Sequence, residues 1–288
     1  MGQKSKIEWT DATWNPTTGC TKVSAGCDHC YAHKLAHERL AVLYSRRLPV
    51  IQTPENVADP FSVRLWPGRL AQPASWRKPR IVFVNSMSDL FHIEVPDVFV
   101  RQVFEVMVKV DRHIYQVLTK RPSRAVRFFR RNQDLFPGGR IPGHIWMGTS
   151  VENQDVAYRV AHLRRLPAEV RFLSCEPLLG PLRLDLGGIH WVIAGGESGS
   201  EFRPMEEAWA LGLRDQCRTA GTPFFFKQWG GRRSRAGGRI LDGRTWDEMP
   251  VANRIPENVA SPAATAVAEE SRIRQRPARV REAVPAAA

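Results

Sequence analysis

Three of the chain's five cysteines share one short stretch, Cys20, Cys27 and Cys30, in the run Asn15-Pro-Thr-Thr-Gly-Cys followed by Cys27-Asp-His-Cys-Tyr-Ala32. The gaps are six residues and then two. A Cys-x-x-Cys pair lets two sulfurs face one centre, and the third thiolate decides the chemistry. Structural zinc needs a fourth protein ligand, for which His29, His33, His37 or the distant Cys175 is available. A four-iron cluster held by three cysteines instead leaves one iron open to a small molecule. Spacing alone leaves both readings open. An odd cysteine count in a reducing compartment argues against a disulfide framework.

Chemistry of either kind needs elements to hold the loop, and the middle of the chain supplies a regular set. Ile81-Val-Phe-Val84 is a continuous apolar run that suits a strand buried on both faces, and it ends in the polar Asn85-Ser-Met-Ser-Asp89. Pro96-Asp97 opens a helix in which Phe99, Val103, Val106 and Val110 recur at helical spacing. Ile114–Leu118, Ile145–Gly148, Val170–Leu173, Trp191–Ala194 and Phe224–Phe226 repeat the strand pattern. Helices are predicted after Glu152, with Val156, Val160 and Leu163 on one face and Pro167 as the stop, and from about Met205 to Ala220. Strands alternating with helices predict an α/β fold, a partial or full (β/α) barrel of parallel strands spanning residues 1–250.

Sites on parallel barrels form at the carboxyl ends of strands, and here those ends are polar. Lys120, Glu176, Glu197, Lys227 and Gln228 are the candidates for substrate contact, while a solvated strand end is the bland alternative for each. Arg121, Arg124, Arg127 and Arg131 recur every three or four residues on one predicted helix and are candidates for nucleic-acid contact, against a solvated helix face. Trp66, Trp76 and Trp229 lie beside basic residues or glycine turns and could stack on bases; core packing or loop anchoring is the commoner role. Cys175 at a strand end and Cys217 in a helix read most simply as buried residues.

The 288 residues are 43% hydrophobic, enough for a full core, and carry a formal net charge of +13, which favours a polyanionic partner such as DNA or RNA. No apolar run is long enough to cross a bilayer, and the opening Met-Gly-Gln-Lys-Ser-Lys lacks the apolar stretch of a secretory signal. A cytoplasmic protein without a membrane partner is expected. Residues 50–79, rich in Pro, Arg and Trp, are expected to form an irregular insertion. The Ala/Pro/Arg-rich tail 251–288 has too few large apolar groups to offset its ordering entropy and is expected to be disordered.

The cysteine loop resembles that of radical S-adenosylmethionine (SAM) enzymes, in particular the branch containing spore photoproduct lyase. The segments "IEWTDATWNP", "NSMSDLFH", "LTKRP", "WMGTSVEN", "RFLSCEPLLGP", "AGGESG", "FFFKQWGG" and "LDGRTWDEMP" together resemble the phage-associated three-Cys-motif family, largely of unknown function, from about Ile7 to Pro250. The resemblance implies a partial barrel with a [4Fe-4S] cluster on Cys20, Cys27 and Cys30, SAM at the open iron, an external electron donor, and a 5′-deoxyadenosyl radical that takes hydrogen from substrate. It also implies SAM contacts from Ser86, Asp89, Ser150 and Glu152. Two departures stand out. The first gap is six residues where three are usual, and the Gly-Gly-Glu that often holds the SAM amine early in the barrel occurs only at Gly195-Gly196-Glu197. The alternative of a different class is a non-catalytic, zinc-stabilised nucleic-acid-binding protein.

Overall fold

The structure is a computed structural model that describes residue 5 and residues 7–45, 58–233 and 236–250. The tail 251–288 and part of the 50–79 insertion lie outside the described residues. In chain order the strands are β1 (Ala12–Trp14), β2 (Thr17–Thr18), β3 (Arg64–Leu65), β4 (Ile81–Val84), β5 (Ile114–Thr119), β6 (Ile145–Ser150), β7 (Arg171–Cys175), β8 (Trp191–Gly195) and β9 (Phe224–Gln228). The helices are α1 (Tyr31–Glu38), α2 (Ala41–Ser45), α3 (Gln72–Ser75), α4 (Asp97–Lys109), α5 (Pro122–Arg131), α6 (Arg159–Arg164) and α7 (Glu207–Ala220).

Seven strands form one sheet in the order β1-β4-β5-β6-β7-β8-β9, and every neighbouring pair is parallel. Among the described residues β1 and β9 do not pair, so the sheet is an open half-barrel, the partial one of the two expected forms. Burial on both faces explains the apolar strands. In β4, Ile81 and Phe83 turn to the concave face while Val82 and Val84 meet the helices. Trp9, Phe83, Trp146, Phe172, Trp191 and Phe225 fill the concave interior toward the amino ends of the strands, packing edge to face, as in Trp9–Phe83 at 4.8 Å and Trp146–Trp191 at 6.0 Å. The concave interior is thereby closed by aromatic rings at that end, and the polar strand ends Asn85–Asp89, Thr119–Lys120, Ser150–Glu152 and Gly195–Glu197 lie at the other.

On the convex side, α4 buries Phe99 and Val103 as its spacing predicts, but Val106 is only half-buried and Val100, Phe104 and Met107 carry the rest of the contact. The face is rotated because Phe104 packs among Phe91, Phe128, Phe129 and Phe136. Val156, Val160 and Leu163 are all buried, Val156 in a 3-10 turn just before α6. Part of the expected irregular insertion is ordered: β3 pairs antiparallel with β2, and the buried Arg64 donates to the carbonyls of Asp59, Pro60 and Ser62. Trp66 donates its indole N–H to Thr18 Oγ1 at 2.8 Å and Trp76 lies in the core, so both are anchors.

Candidate metal centre

The cysteine loop leaves β1 at the carboxyl end of the sheet and runs into α1, whose first residue follows Cys30 directly. Its start is pinned by backbone bonds, Gly19 N–H to Met87 O at 2.9 Å and Cys20 N–H to Phe61 O at 3.2 Å. All five cysteines are free thiols; Cys27 is buried, and Cys20 and Cys30 are half-buried. The long gap between Cys20 and Cys27 is held by side chains from the ends of four different strands.

From the end of β4, Asp89 accepts four hydrogen bonds: Phe91 N–H and Thr119 Oγ1 on Oδ1 at 2.9 and 2.7 Å, and Lys120 N–H and Arg121 Nη1 on Oδ2 at 3.0 and 2.9 Å. Arg121, thus oriented, donates to Cys20 Sγ at 3.5 Å and to Thr21 O and Oγ1 at 3.1 and 3.2 Å. His92 Nδ1 accepts the Glu94 N–H, so Nε2 carries the proton and donates it to Thr21 Oγ1 at 2.8 Å. After β6, the fully buried Glu152 accepts from Ser24 Oγ and Arg159 Nη1, both at 2.9 Å, and from Lys120 Nζ. Gly26 makes this approach possible, since a Cβ there would stand 2.3 Å from Glu152 Cγ. After β8, Glu197 accepts from His29 Nδ1 at 3.1 Å and from Arg203, whose Nη2 also donates to Ala25 O at 2.9 Å.

Burial dominates the ionisation of these groups. It raises the Cys20 thiol to about 11, with the Asp89 carboxylate adding to the rise and Arg121 opposing it. It lowers His92 to about 4, helped by the neighbouring Arg121, and lowers Lys120 to about 8, with thiolate charge at Cys27 and Cys30 acting in the opposite sense. For Glu197 burial would raise the carboxyl, but the hydrogen bonds from Arg203 and His29 outweigh it and hold it below the usual range.

The sequence-predicted residues therefore fall into distinct groups. Asp89, Glu152, Lys120 and Glu197 converge on the cysteine loop, with their polar atoms engaged in holding it. Ser86 Oγ exchanges hydrogen bonds with Asn15 at 3.1 and 3.2 Å, and Ser150 is buried with its carbonyl accepting Arg159. Glu176 and Lys227 pair at 2.9 Å across β8, and Gln228 Nε2 donates to Ser198 Oγ at 2.7 Å. The arginine stripe is divided: Arg121 pairs with Asp89 and Arg124 with Asp97, while Arg127 and Arg131 are exposed, Arg131 lying 3.8 Å from Asp97 Oδ2. Trp229 is half-buried and its indole N–H donates to Ile240 O. Ser24, His92, Arg159 and Arg203 escaped sequence reasoning: Ser24, His92 and Arg203 meet the partners that matter across 128, 71 and 178 positions, and Arg159 is a lone arginine whose burial against Glu152 no local pattern signals. A cavity lined by Asp111, Arg140, His144 and Glu169 lies at the amino ends of β5 and β6, the end opposite the cysteines.

Of the proposed fourth zinc ligands, His29 is turned to Glu197, His33 stacks on His37 at 4.2 Å, and His37 bonds Asp59 through Nε2 at 3.1 Å. Cys175 lies in the sheet–helix core, fully buried and on the face away from the concave interior. Three free thiols on one loop, with Lys120 and Arg121 beside it, are a donor set that fits a cluster held by three cysteines.

An open parallel half-barrel with a three-cysteine loop at its carboxyl end defines the class to which this protein's architecture conforms. Residues 4–250 match a family described as "Protein of unknown function (DUF5131)", and the chain belongs to that family. No curated protein matches it. Among solved structures, spore photoproduct lyase complexed with dinucleoside spore photoproduct is similar at 14% identity and a TM-score of 0.41, over 67% of this chain and 58% of that one. A spore photoproduct lyase double mutant with bound AdoMet and dinucleoside spore photoproduct is similar at 14% identity and a TM-score of 0.38, over 62% of this chain and 54% of that one. The chain spans less than two thirds of the length of either.

Proposed function

We propose that the protein is a radical-SAM-type iron–sulfur enzyme whose substrate is a nucleic acid or nucleotide-like molecule. The observation that carries this reading is the wiring of a loop with three free thiols to the ends of β4, β5, β6 and β8, where a parallel barrel builds its active site. Cys20, Cys27 and Cys30 would hold the [4Fe-4S] cluster. When bound together, such a cluster and SAM supply the one-electron cleavage of a sulfonium and a 5′-deoxyadenosyl radical for hydrogen abstraction.

The chain's own residues position and insulate. Arg121 directs an N–H at the Cys20 sulfur, which stabilises it as a thiolate ligand. Lys120, held by Glu152, brings positive charge within electrostatic reach of Cys27 and Cys30. Arg203 and Glu197 hold the loop on both sides of Cys27, through the Ala25 carbonyl before it and the His29 ring after it. We assign Asp89 and Glu152 to positioning this loop rather than to contact with SAM, because each of their carboxylate oxygens already accepts from a donor of the loop or of its supports. Glu176 and Lys227 remain as a polar pair beside it that could meet substrate. An external electron donor completes the set of partners, and the net charge of +13 supports the polyanionic substrate.

Anaerobic reconstitution of the full chain with iron and sulfide, followed by dithionite and SAM, tests the reading. It should yield 5′-deoxyadenosine even without substrate. A colourless protein with one zinc and no iron uptake would instead support the zinc-stabilised nucleic-acid-binding alternative.

A further inference from the structure

We infer that residues 229–233, which follow β9, form a phosphate-contacting arm that seats a nucleic-acid backbone beside the cysteine site, with Arg232 and Arg233 as its contact residues. The inference rests on the proposal that the substrate is a nucleic acid, and it relocates the contact surface from α5 to the rim of the half-barrel.

The arm is built on an unusually close junction. Beyond β8 and β9 the chain runs through Gly196 and Gly230, and there the two backbones touch. A Cβ at Gly196 would lie 1.9 Å from Trp229 O, and one at Gly230 would lie 2.1 Å from Glu197 O. Gly231 N–H donates to Glu197 O at 2.9 Å and Gly199 N–H to Gly231 O at 3.0 Å, tying the arm to the 197–199 segment. The returning limb is closed by Gly237 N–H to Gly230 O and Trp229 N–H to Gly238 O, both at 3.0 Å. The base of the arm is therefore locked to Glu197, the same residue that holds His29 and, through Arg203, Ala25 of the cysteine loop.

Arg232 and Arg233 follow this base immediately and are exposed. Neighbouring cations on the rim are already engaged: Arg203 by Glu197, and Lys34 by Ser200 Oγ at 3.1 Å. The exposed Glu201 is the acid on the adjoining segment, and it sets a limit on how close a second phosphate can come. Two guanidinium groups on a short arm of fixed base are suited to successive phosphates, since their forked donors match phosphate oxygens while the base sets the distance to the cysteines. The stripe on α5 cannot do the same work with Arg121 and Arg124 committed to carboxylates.

Fluorescence anisotropy with labelled single-stranded DNA, duplex DNA and RNA, across a salt series on the full-length protein, tests this. The R232A/R233A variant should bind at least tenfold more weakly, and the slope of log affinity against log salt should fall by about 2, or about 0.9 per phosphate contact on duplex. R232K/R233K should keep most of the slope, and R127A/R131A should leave both quantities near the parent values. Thermal unfolding of each variant checks that the fold is intact, as expected for exposed side chains. If the parent binds with a steep salt dependence that R232A/R233A leaves unchanged, the inference is overturned while the nucleic-acid substrate stands. If the parent binds none of the three, both are overturned.

Discussion

Replacing Glu152 with glutamine removes one negative charge from the centre of the loop wiring and little else. The side chain is fully buried, and it faces Arg159, 2% exposed, and Lys120, 20% exposed. Glutamine keeps the shape and one acceptor oxygen, so Ser24 can still be met. The buried guanidinium of Arg159 loses its carboxylate, however, and is left with the neutral Ser150 O at 3.0 Å and the Tyr158 side chain. Stripping one partner from a buried ion pair costs about 3 to 5 kcal/mol, whereas loss of an ordinary neutral hydrogen bond costs about 1 kcal/mol. For a domain of this size each kcal/mol moves the melting temperature by roughly 2–4 °C, so Glu152→Gln should lower it by roughly 10 °C. Because the buried Cys27 is reached only when the loop opens, and the loss of the Lys120 and Arg159 ion pairs favours opening, alkylation of Cys27 in metal-free protein should accelerate in parallel. Ser24→Ala, which deletes only a hydroxyl partner, sets the scale at about 1 kcal/mol. A Glu152→Gln protein within 1 kcal/mol of the parent, with Cys27 alkylation unchanged, would refute the wiring.

Three further outcomes follow from the same contacts. His92 is neutral in the folded protein down to about pH 4, against 6.5 when unfolded, so the unfolded chain binds the extra proton between these values. Stability should be whole above about pH 6.5 and should drop by about 3 kcal/mol by pH 4, with Asp89, Arg121 and Arg124 as the charges facing the ring; urea titrations of the parent and His92→Gln should show a shallower fall in the variant. Gly26→Ala places a methyl against Glu152 and should reduce iron uptake on reconstitution severalfold while leaving α/β content by circular dichroism unchanged. Arg203→Lys keeps the charge but loses the fork that joins Glu197 to Ala25 O, and should slow iron uptake and speed Cys30 alkylation, with unaltered alkylation counting against its positioning role.

The half-barrel was legible because its strands are buried on both faces and so read as continuous apolar runs, as in Ile81–Val84. β1 is three residues long with Thr13 half-buried, too short for periodicity to show. The β2–β3 pair was hidden in a stretch that reads as irregular because Arg64, a charged residue, is buried there by donating to loop carbonyls. At the site, the polar strand ends could be picked out one at a time, but what they hold could not. Glu152 meets Ser24 across 128 positions of sequence and Glu197 meets His29 across 168, and no local pattern encodes such pairs. The ion pairs of the arginine stripe were hidden for the same reason: its three- and four-residue spacing is real, yet Asp89 and Asp97, which pair with Arg121, Arg124 and Arg131, lie on other segments.

The central claim is that Cys20, Cys27 and Cys30 together carry an iron–sulfur cluster. Its most direct test is iron and acid-labile sulfide content after anaerobic reconstitution, measured for the parent and for the Cys20→Ala, Cys27→Ala, Cys30→Ala and Cys175→Ala proteins. About four iron and four sulfide per chain are expected in the parent and in Cys175→Ala, with loss of the cluster in each of the other three. Retention of iron when any of the three loop cysteines is removed, or a parent that takes up one zinc and no iron, would contradict it.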